Sequence, residues 1–432
     1  MHRVAAPITF LVLVLTAAMA PPPAAAQQPL SDFLAGSDHA SIELRAVETS
    51  VDAAWAQTDL ARARLLPSFT AAGIYQRNEV QVQLNLGCAD GTMTCASPRI
   101  ANIQLYDVFN ASFQLNVPLV DVQGWTSFFA AEESARAARD RLDASREDVH
   151  AAVVQLWHGL VAAHAVRDAA QHNLDAVVAS RDNVRARFEA EVAPQLELSR
   201  AEAEVLRAQQ SIAEADLAIV LAERNLELLT GVHPSSAPQP LDDDLHDEPA
   251  LEEFMTRAHQ APSVHAAARS VRAAEMALDA AWEGLLPTVG VSGRELATNA
   301  SGFGPATQWA LIFTASWSLS FLQPAQIGLS GDQLAGAHAQ EDLAVQQAET
   351  RVFEQWHRVQ SLRTRAAAAI GARDALARAA QDAHARYEAG VATQLEVITA
   401  DRDLLQAEVA RILAVADLGV ARHTLHIRAG DE

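Results

Sequence analysis

Cysteine, basic charge, catalytic motifs and long apolar runs are all scarce in this chain. Cys88 and Cys95 are the only cysteines among 432 residues, too few for the ligand count of an ordinary zinc site. Lysine and arginine together number 32 against 54 acids, giving a net charge of −22 and a pI near 5.0. A nucleic-acid face needs the opposite sign, and the ordinary meaning of such acidity is a solvated helical surface. No phosphate-binding glycine loop, nucleophile elbow or paired metal motif occurs, and the fifteen histidines are scattered singly. Catalysis, metal binding and cofactor binding therefore have no residues to carry them. Beyond the N-terminal segment, no apolar run reads as long enough for a transmembrane helix, which needs about 20 residues.

That N-terminal segment carries His2 and Arg3, an apolar stretch from Ile8 to Leu15 and small residues through Ala24-Ala25-Ala26. It reads as a signal peptide over residues 1–26, too short for a membrane anchor. No cysteine stands near the cleavage point to take a lipid.

What the chain does contain is a duplication. Ala186 to Gly231 recurs as Ala385 to Gly430 at a constant offset of 199, pairing Arg187 with Arg386, Phe188 with Tyr387, Val192 with Val391, Leu196 with Leu395 and Glu197 with Glu396. The register extends upstream to Trp157-His158 and Trp356-His357. After each of these stretches begins, large apolar residues repeat every seven positions (Leu198, Val205, Ile212, Ile219, Leu226) with alanines three residues later. This is a coiled-coil seam with shallow alanine holes. In the second copy Arg411 interrupts it. Upstream of each seam lie more than sixty residues without proline, about Gly124 to Glu191 and Gly328 to Gly390. These predict helices on the order of 90 to 100 Å long, followed by return arms half that length. The first repeat spans 27–231 and the second 250–430, joined by a Pro/Asp-rich linker over 232–249.

Each repeat also holds a helix that stops at a leucine-proline step: Asp38 to Leu66 before Pro67, and Ser263 to Leu286 before Pro287. A short helix over Leu251 to Gln260 precedes the latter. Beyond each proline the period changes from helix to strand, within 68–119 and 288–322. Val80, Val82, Leu84 and Leu86 alternate with polar residues, as do Phe113, Leu115, Val117 and Leu119, and Leu311, Phe313, Trp317 and Phe321. Such alternation fits either a sheet half-covered by a core or a membrane strand with lipid on one face; with the helices committed to their own seams, the membrane reading is preferred. Two strands per repeat give four, fewer than the eight of the smallest single-chain barrel, so closure must come from further copies of the chain. The first strand region is longer than the second by 16 residues, an excess that includes Cys88 and Cys95. In an exported chain these two read as a disulfide closing an external loop.

The order of elements and the tip pattern Arg-Tyr-Glu-Ala-Gly-Val-Ala-Thr-Gln-Leu-Glu-Val, from Arg386 to Val397, together resemble the TolC family of outer-membrane efflux proteins. The resemblance covers the whole chain after the signal segment. It implies a mainly α protein with a membrane β part: tandem coiled-coil hairpins plus four strands per protomer, completing a twelve-stranded barrel in a homotrimer. It further implies an outer-membrane location reaching into the periplasm, a periplasmic adaptor, an inner-membrane pump of RND, ABC or MFS type, and passive export of small molecules, metals or proteins. By motif position Glu396 and Glu197 become gate candidates, against the simpler role of solvated flanks. Arg187, Phe188, Val192, Arg386, Tyr387, Gly390, Val391 and Leu395 become adaptor-contacting candidates; for the arginines, a helix-terminal charge is the simpler role. Two departures stand out. Glu191 and Pro194 in the first repeat replace the glycine-bearing turn of the second, so the first tip is expected to turn differently, and Thr399 stands where a second acidic gate residue is expected. Trp157-His158 and Trp356-His357 read as packing rather than ligand pairs. A periplasmic coiled-coil scaffold without a pore is the alternative, but it has no use for the amphipathic strands.

Overall fold

The computed structural model describes residues 28–88, 100–235, 241–300 and 304–430. The proposed signal segment lies outside the described residues. In chain order the elements are α1 (Leu30–Ala40), α2 (Ile42–Ala63), β1 (Ser68–Arg77), β2 (Val82–Asn85), β3 (Ile100–Gln104), β4 (Asp107–Val120), α3 (Val122–Glu189), α4 (Gln195–Thr230), α5 (Leu251–Ala258), α6 (Pro262–Glu283), β5 (Thr288–Thr298), β6 (Thr307–Ser316), α7 (Leu322–Glu388) and α8 (Gln394–Arg428). The chain forms two compact units. One comprises residues up to Ala40 with Val153–Leu245 and Thr364–Gly419; the other comprises Ser41–Ala152, His246–Arg363 and Val420 onward. The long helices α3, α7 and α8 contribute segments to both.

The two proline-free stretches are single helices of 68 and 67 residues, about 100 Å each at 1.5 Å per residue. Their return arms have 36 and 35 residues, the proportion read from the duplication. One expectation fails on α3, which contains an 18-residue window long and apolar enough by composition to cross a membrane, a third of it buried. Alanine and valine raise hydropathy there without bulk. The helix expected over Asp38 to Leu66 is also two: Ser41 breaks it and caps α2, its hydroxyl accepting from the Leu44 N–H at 3.3 Å, because a side-chain acceptor satisfies a donor the first turn leaves free. The two leucine-proline steps leave their helices alike, Leu66 N–H reaching Ala63 O and Leu286 N–H reaching Glu283 O.

Within the second unit β1, β4, β5 and β6 form an antiparallel sheet in the order β1-β4-β5-β6. Its register sorts side chains by face. One face carries the rows Phe69-Leu115-Gly293-Leu311 and Ala71-Phe113-Glu295-Trp309; the other carries Thr70-Gln114-Arg294-Ala310 and Ser68-Asn116-Ser292-Ile312. Phe69 stacks on Phe113 with centroids 6.3 Å apart, and Phe69, Trp309, Leu311 and Phe313 are exposed in the isolated chain. One face is thus apolar and aromatic and the other largely polar, with β1 and β6 as unpaired edges.

Two strand assignments need correction. The segment Val80 to Leu86 does not belong to this sheet: the β1-β4 pairing ends at Arg77↔Asp107, and β2 pairs instead with β3 in a separate two-stranded sheet. Asn78 makes the exit, its backbone N–H donating to Tyr106 O at 2.7 Å and its side chain to Leu105 O at 2.8 Å. A period of two marks a strand but not its sheet, and the small residues of β1 hid the true edge strand. The alternation from Leu311 to Phe321 likewise outruns β6, which ends at Ser316. Ser320 begins the next helix by pairing with the Gln323 side chain at 2.6 and 2.8 Å. Cys88 is disulfide-bonded; Cys95 lies outside the described residues.

Candidate functional site

The functional candidates converge on the two turns that reverse α3 into α4 and α7 into α8. Both turns close with one hydrogen-bond pattern. Glu191, Val192 and Ala193 donate their N–H groups to Phe188 O, Arg187 O and Arg187 O at 2.9, 2.9 and 3.2 Å; Gly390, Val391 and Ala392 donate to Tyr387 O, Arg386 O and Arg386 O at 3.0, 2.9 and 3.2 Å. Glu191 takes φ 59° where Gly390 takes 75°. The first tip therefore does not turn differently, as Glu191 and Pro194 led us to expect. Glutamate occupies a left-handed conformation that costs an L-residue about 1 kcal/mol or more, and the coiled coil on either side holds it there.

Above the turns the two hairpins share one core of Val184, Leu198, Ala201, Tyr387 and Val397, with Phe188 and Ala392 packed against it. The Arg187 guanidinium lies 4.8 Å above the centre of the Tyr387 ring, within the range of a cation–aromatic attraction. Burial raises the Tyr387 pKa; the charge of Glu197 adds to the rise and Arg187 opposes it. Tyr387 is thus packed inside the cluster rather than presented at the surface, and Arg187 and Phe188 are half-buried. The large apolar residues that the tips expose are Val192 and Leu196 on the first and Val391 and Leu395 on the second, with Gly390 and the charged Glu191, Arg386 and Glu396 also exposed.

Glu396 has a local partner. Its carboxylate accepts from the Thr393 N–H at 3.2 Å and hydroxyl at 3.1 Å, while its own N–H donates to the Thr393 hydroxyl at 3.3 Å. This is a capping box at the start of α8, readable in the sequence Thr-Gln-Leu-Glu. The first tip has Pro194 at that position and no side-chain cap on α4, leaving Glu197 uncommitted to such a box.

Two contacts were not foreseen. Glu204 of α4, largely buried, binds Arg402 of α8 through both carboxylate oxygens and also Arg207, clamping the two repeats together. His384 of α7 meets Asp401 of α8 at 2.8 Å; burial raises the Asp401 pKa and His384 opposes it. The first pair has no counterpart at the offset of 199, where Ala203 and Asp403 stand. The second does, since Arg185 of α3 pairs with Glu202 of α4 at 2.9 Å, with different residue types at both positions. Deeper still, Gln394 donates to the Ser180 hydroxyl at 3.1 Å. The aromatic-histidine pairs are packing. A Cβ on Gly419 would stand 2.5 Å from the His158 ring, which fills the notch that glycine leaves. His357 packs against Phe353 with ring centroids 4.4 Å apart and planes tilted by 60°, and Trp356 donates to Pro249 O at 3.0 Å.

Long paired hairpins with matched turns, on a chain whose sheet offers one apolar face and two open edges, define a protomer of a hairpin-and-barrel membrane channel. The chain belongs to the outer membrane efflux protein family, whose model matches residues 39–232 and 257–430. It is accordingly an outer-membrane efflux channel reaching into the periplasm, from a family of transport channels rather than enzymes. Among solved structures it is similar to a membrane protein from Pseudomonas aeruginosa (21% identity, 93% of each chain, TM-score 0.75). It is also similar to VceC of Vibrio cholerae (16%, 93% of this chain and 96% of that one, 0.74) and to MtrE of Neisseria gonorrhoeae in its open state (19%, 93% and 88%, 0.74). At these identities the likeness concerns the fold. A comparison with curated protein sequences gives no match.

Proposed function

We propose that three copies close into one twelve-stranded barrel and a continuous helical tunnel, forming a passive duct whose periplasmic entrance is made by the hairpin tips. The observation that carries this reading is the four-stranded sheet. Its apolar face fits lipid, yet β1 and β6 leave unpaired backbone groups that hydrocarbon does not tolerate, so each edge pairs with the opposite edge of another copy. The exposed apolar residues Val192, Leu196, Val391 and Leu395 are the contact points for a periplasmic adaptor, with Gly390 allowing close approach and the outward-facing Arg386 adding charge. The adaptor couples the duct to an inner-membrane pump of RND, ABC or MFS type, which delivers small molecules, metals or proteins. Protein purified from outer membranes and added to a planar lipid bilayer is expected to give discrete conductance steps. Recovery in the soluble periplasmic fraction, with no conductance at any protein concentration, overturns the duct.

A further inference from the structure

The duplication maps contacts made inside one chain onto contacts between chains. Within the chain, α3 of the first repeat faces the hairpin of the second: Ala162 packs with Ile412 and Ala416 of α8, Ser180 bonds Gln394 of α8, and Arg187 covers Tyr387 at the end of α7. Shifting these by 199 positions exchanges the repeats. The flank of α7 then faces α4, a pairing left unmade within the chain, where the equivalent face of α4 is bare. Leu217 is 58% exposed where its counterpart Ala416 is 6%, and Leu228 is 61% exposed where Ile427 is 4%. On the facing side, Phe353 of α7 is 48% exposed where Val154 of α3 is fully buried. A face that is covered in one repeat and bare in the other calls for the same kind of cover from a second copy.

At the tips this mapping becomes specific. Arg386 is exposed, whereas Arg187 is half-buried over its ring; Phe188 is half-buried, whereas Tyr387 is buried. Arg386 repeats the residue and Phe188 the aromatic ring of its counterpart, and each is less covered than that counterpart. The two turns share one hydrogen-bond pattern, so Arg386 leaves its helix as Arg187 does. We infer that Arg386 of one chain lies over the Phe188 ring of the next, a cation–aromatic contact that alternates around the entrance with the Arg187–Tyr387 contact inside each chain. This rests on the ring of three copies proposed above and adds the residues that join them.

The test uses the whole chain in detergent, with Phe188→Cys and Arg386→Cys introduced together and a short bis-maleimide reagent; Cys88, being disulfide-bonded, does not react. Linked dimers and trimers are expected on a denaturing gel, while the matched pair Arg187→Cys with Tyr387→Cys is expected to remain at monomer mobility. Should the double variants fail to assemble, a photoreactive benzoylphenylalanine replacing Phe188 in the otherwise native chain gives the same readout, with mass spectrometry locating the cross-link on the Arg386 peptide of another copy. If light scattering shows trimers but the Phe188–Arg386 pair links nothing between chains, the contact is overturned and the trimer stands. If the chain is monomeric by light scattering, the ring itself fails and the contact with it.

Discussion

Glu191 shows what one side chain reveals about a turn. Among the described residues it is the only non-glycine with positive φ, and it stands where the second repeat has Gly390. Since both turns have the same hydrogen bonds, the geometry is imposed by the hairpins rather than chosen by the residue. Replacing Glu191 with glycine removes the Cβ clash of the left-handed conformation, partly offset by the greater freedom of the unfolded chain. The net effect is expected to be a stabilisation of about 0.5 to 1 kcal/mol, read as a higher thermal midpoint of the detergent-solubilised protein. A midpoint at or below that of the parent contradicts strain at this turn. The sequence made the position visible but not its conformation, because glutamate is an uncommon occupant of a left-handed turn and the helices that force it there are not local.

At the scale of elements, the linker between repeats has more structure than its prolines and acids imply. In the first unit Leu241 packs on the cluster of Ala162, Ile412 and Ala416, and Asp243 pairs with Arg411. Arg411, the interruption of the heptad seam, thus has a partner outside its own hairpin. Burial works against its charge, but Glu408 and Asp243 outweigh that and hold its pKa up. In the second unit Glu248, its side chain almost wholly buried, meets Arg422 at 3.1 Å and His426 at 3.2 Å, and Asp247 pairs with Arg363. The acidic run is therefore a strap laid along basic positions of α7 and α8, not only a solvated charge run. Glu248→Ala leaves Arg422 buried without its carboxylate, and removing one partner of a buried pair costs about 3 kcal/mol or more. Limited proteolysis of that variant is expected to cleave within 241–250 well before the parent is cut, whereas Asp247→Ala, which removes a mostly exposed carboxylate, is expected to change little. Equal resistance of Glu248→Ala and parent would show that the strap is held elsewhere.

For the whole molecule, acidity is a property of the surface as much as of any site, and Glu396 must be weighed against that background. In the proposed trimer, three copies around the entrance place three Glu396 carboxylates where low-dielectric walls concentrate their field, yet each is also half of a capping box. Glutamine serves that box as well as glutamate does, so Glu396→Gln removes charge while keeping the helix start. The expected outcome in single-channel recordings is weaker selectivity for cations and weaker block by multivalent cations, with assembly unchanged. If selectivity is the same as in the parent, Glu396 is a cap and nothing more. Glu197, half-buried beside Tyr387, contributes to the same field only where the first tip stands level with the second.

Sequence alone determined the duplication, the length of the helices, their stopping points and the presence of amphipathic strands. Each of these follows from local chemistry: a missing proline, a seven-residue repeat, a leucine-proline step, a period of two. Tertiary structure alone decided which strand enters which sheet, since Val80 to Leu86 and Ser68–Arg77 differ in partner rather than in period. It also decided that Glu191 turns as Gly390 does, that Glu204 clasps Arg402, and that the linker is a strap. Those outcomes join residues far apart in the chain, and a pairing energy between distant residues leaves no periodic trace in the sequence of either one.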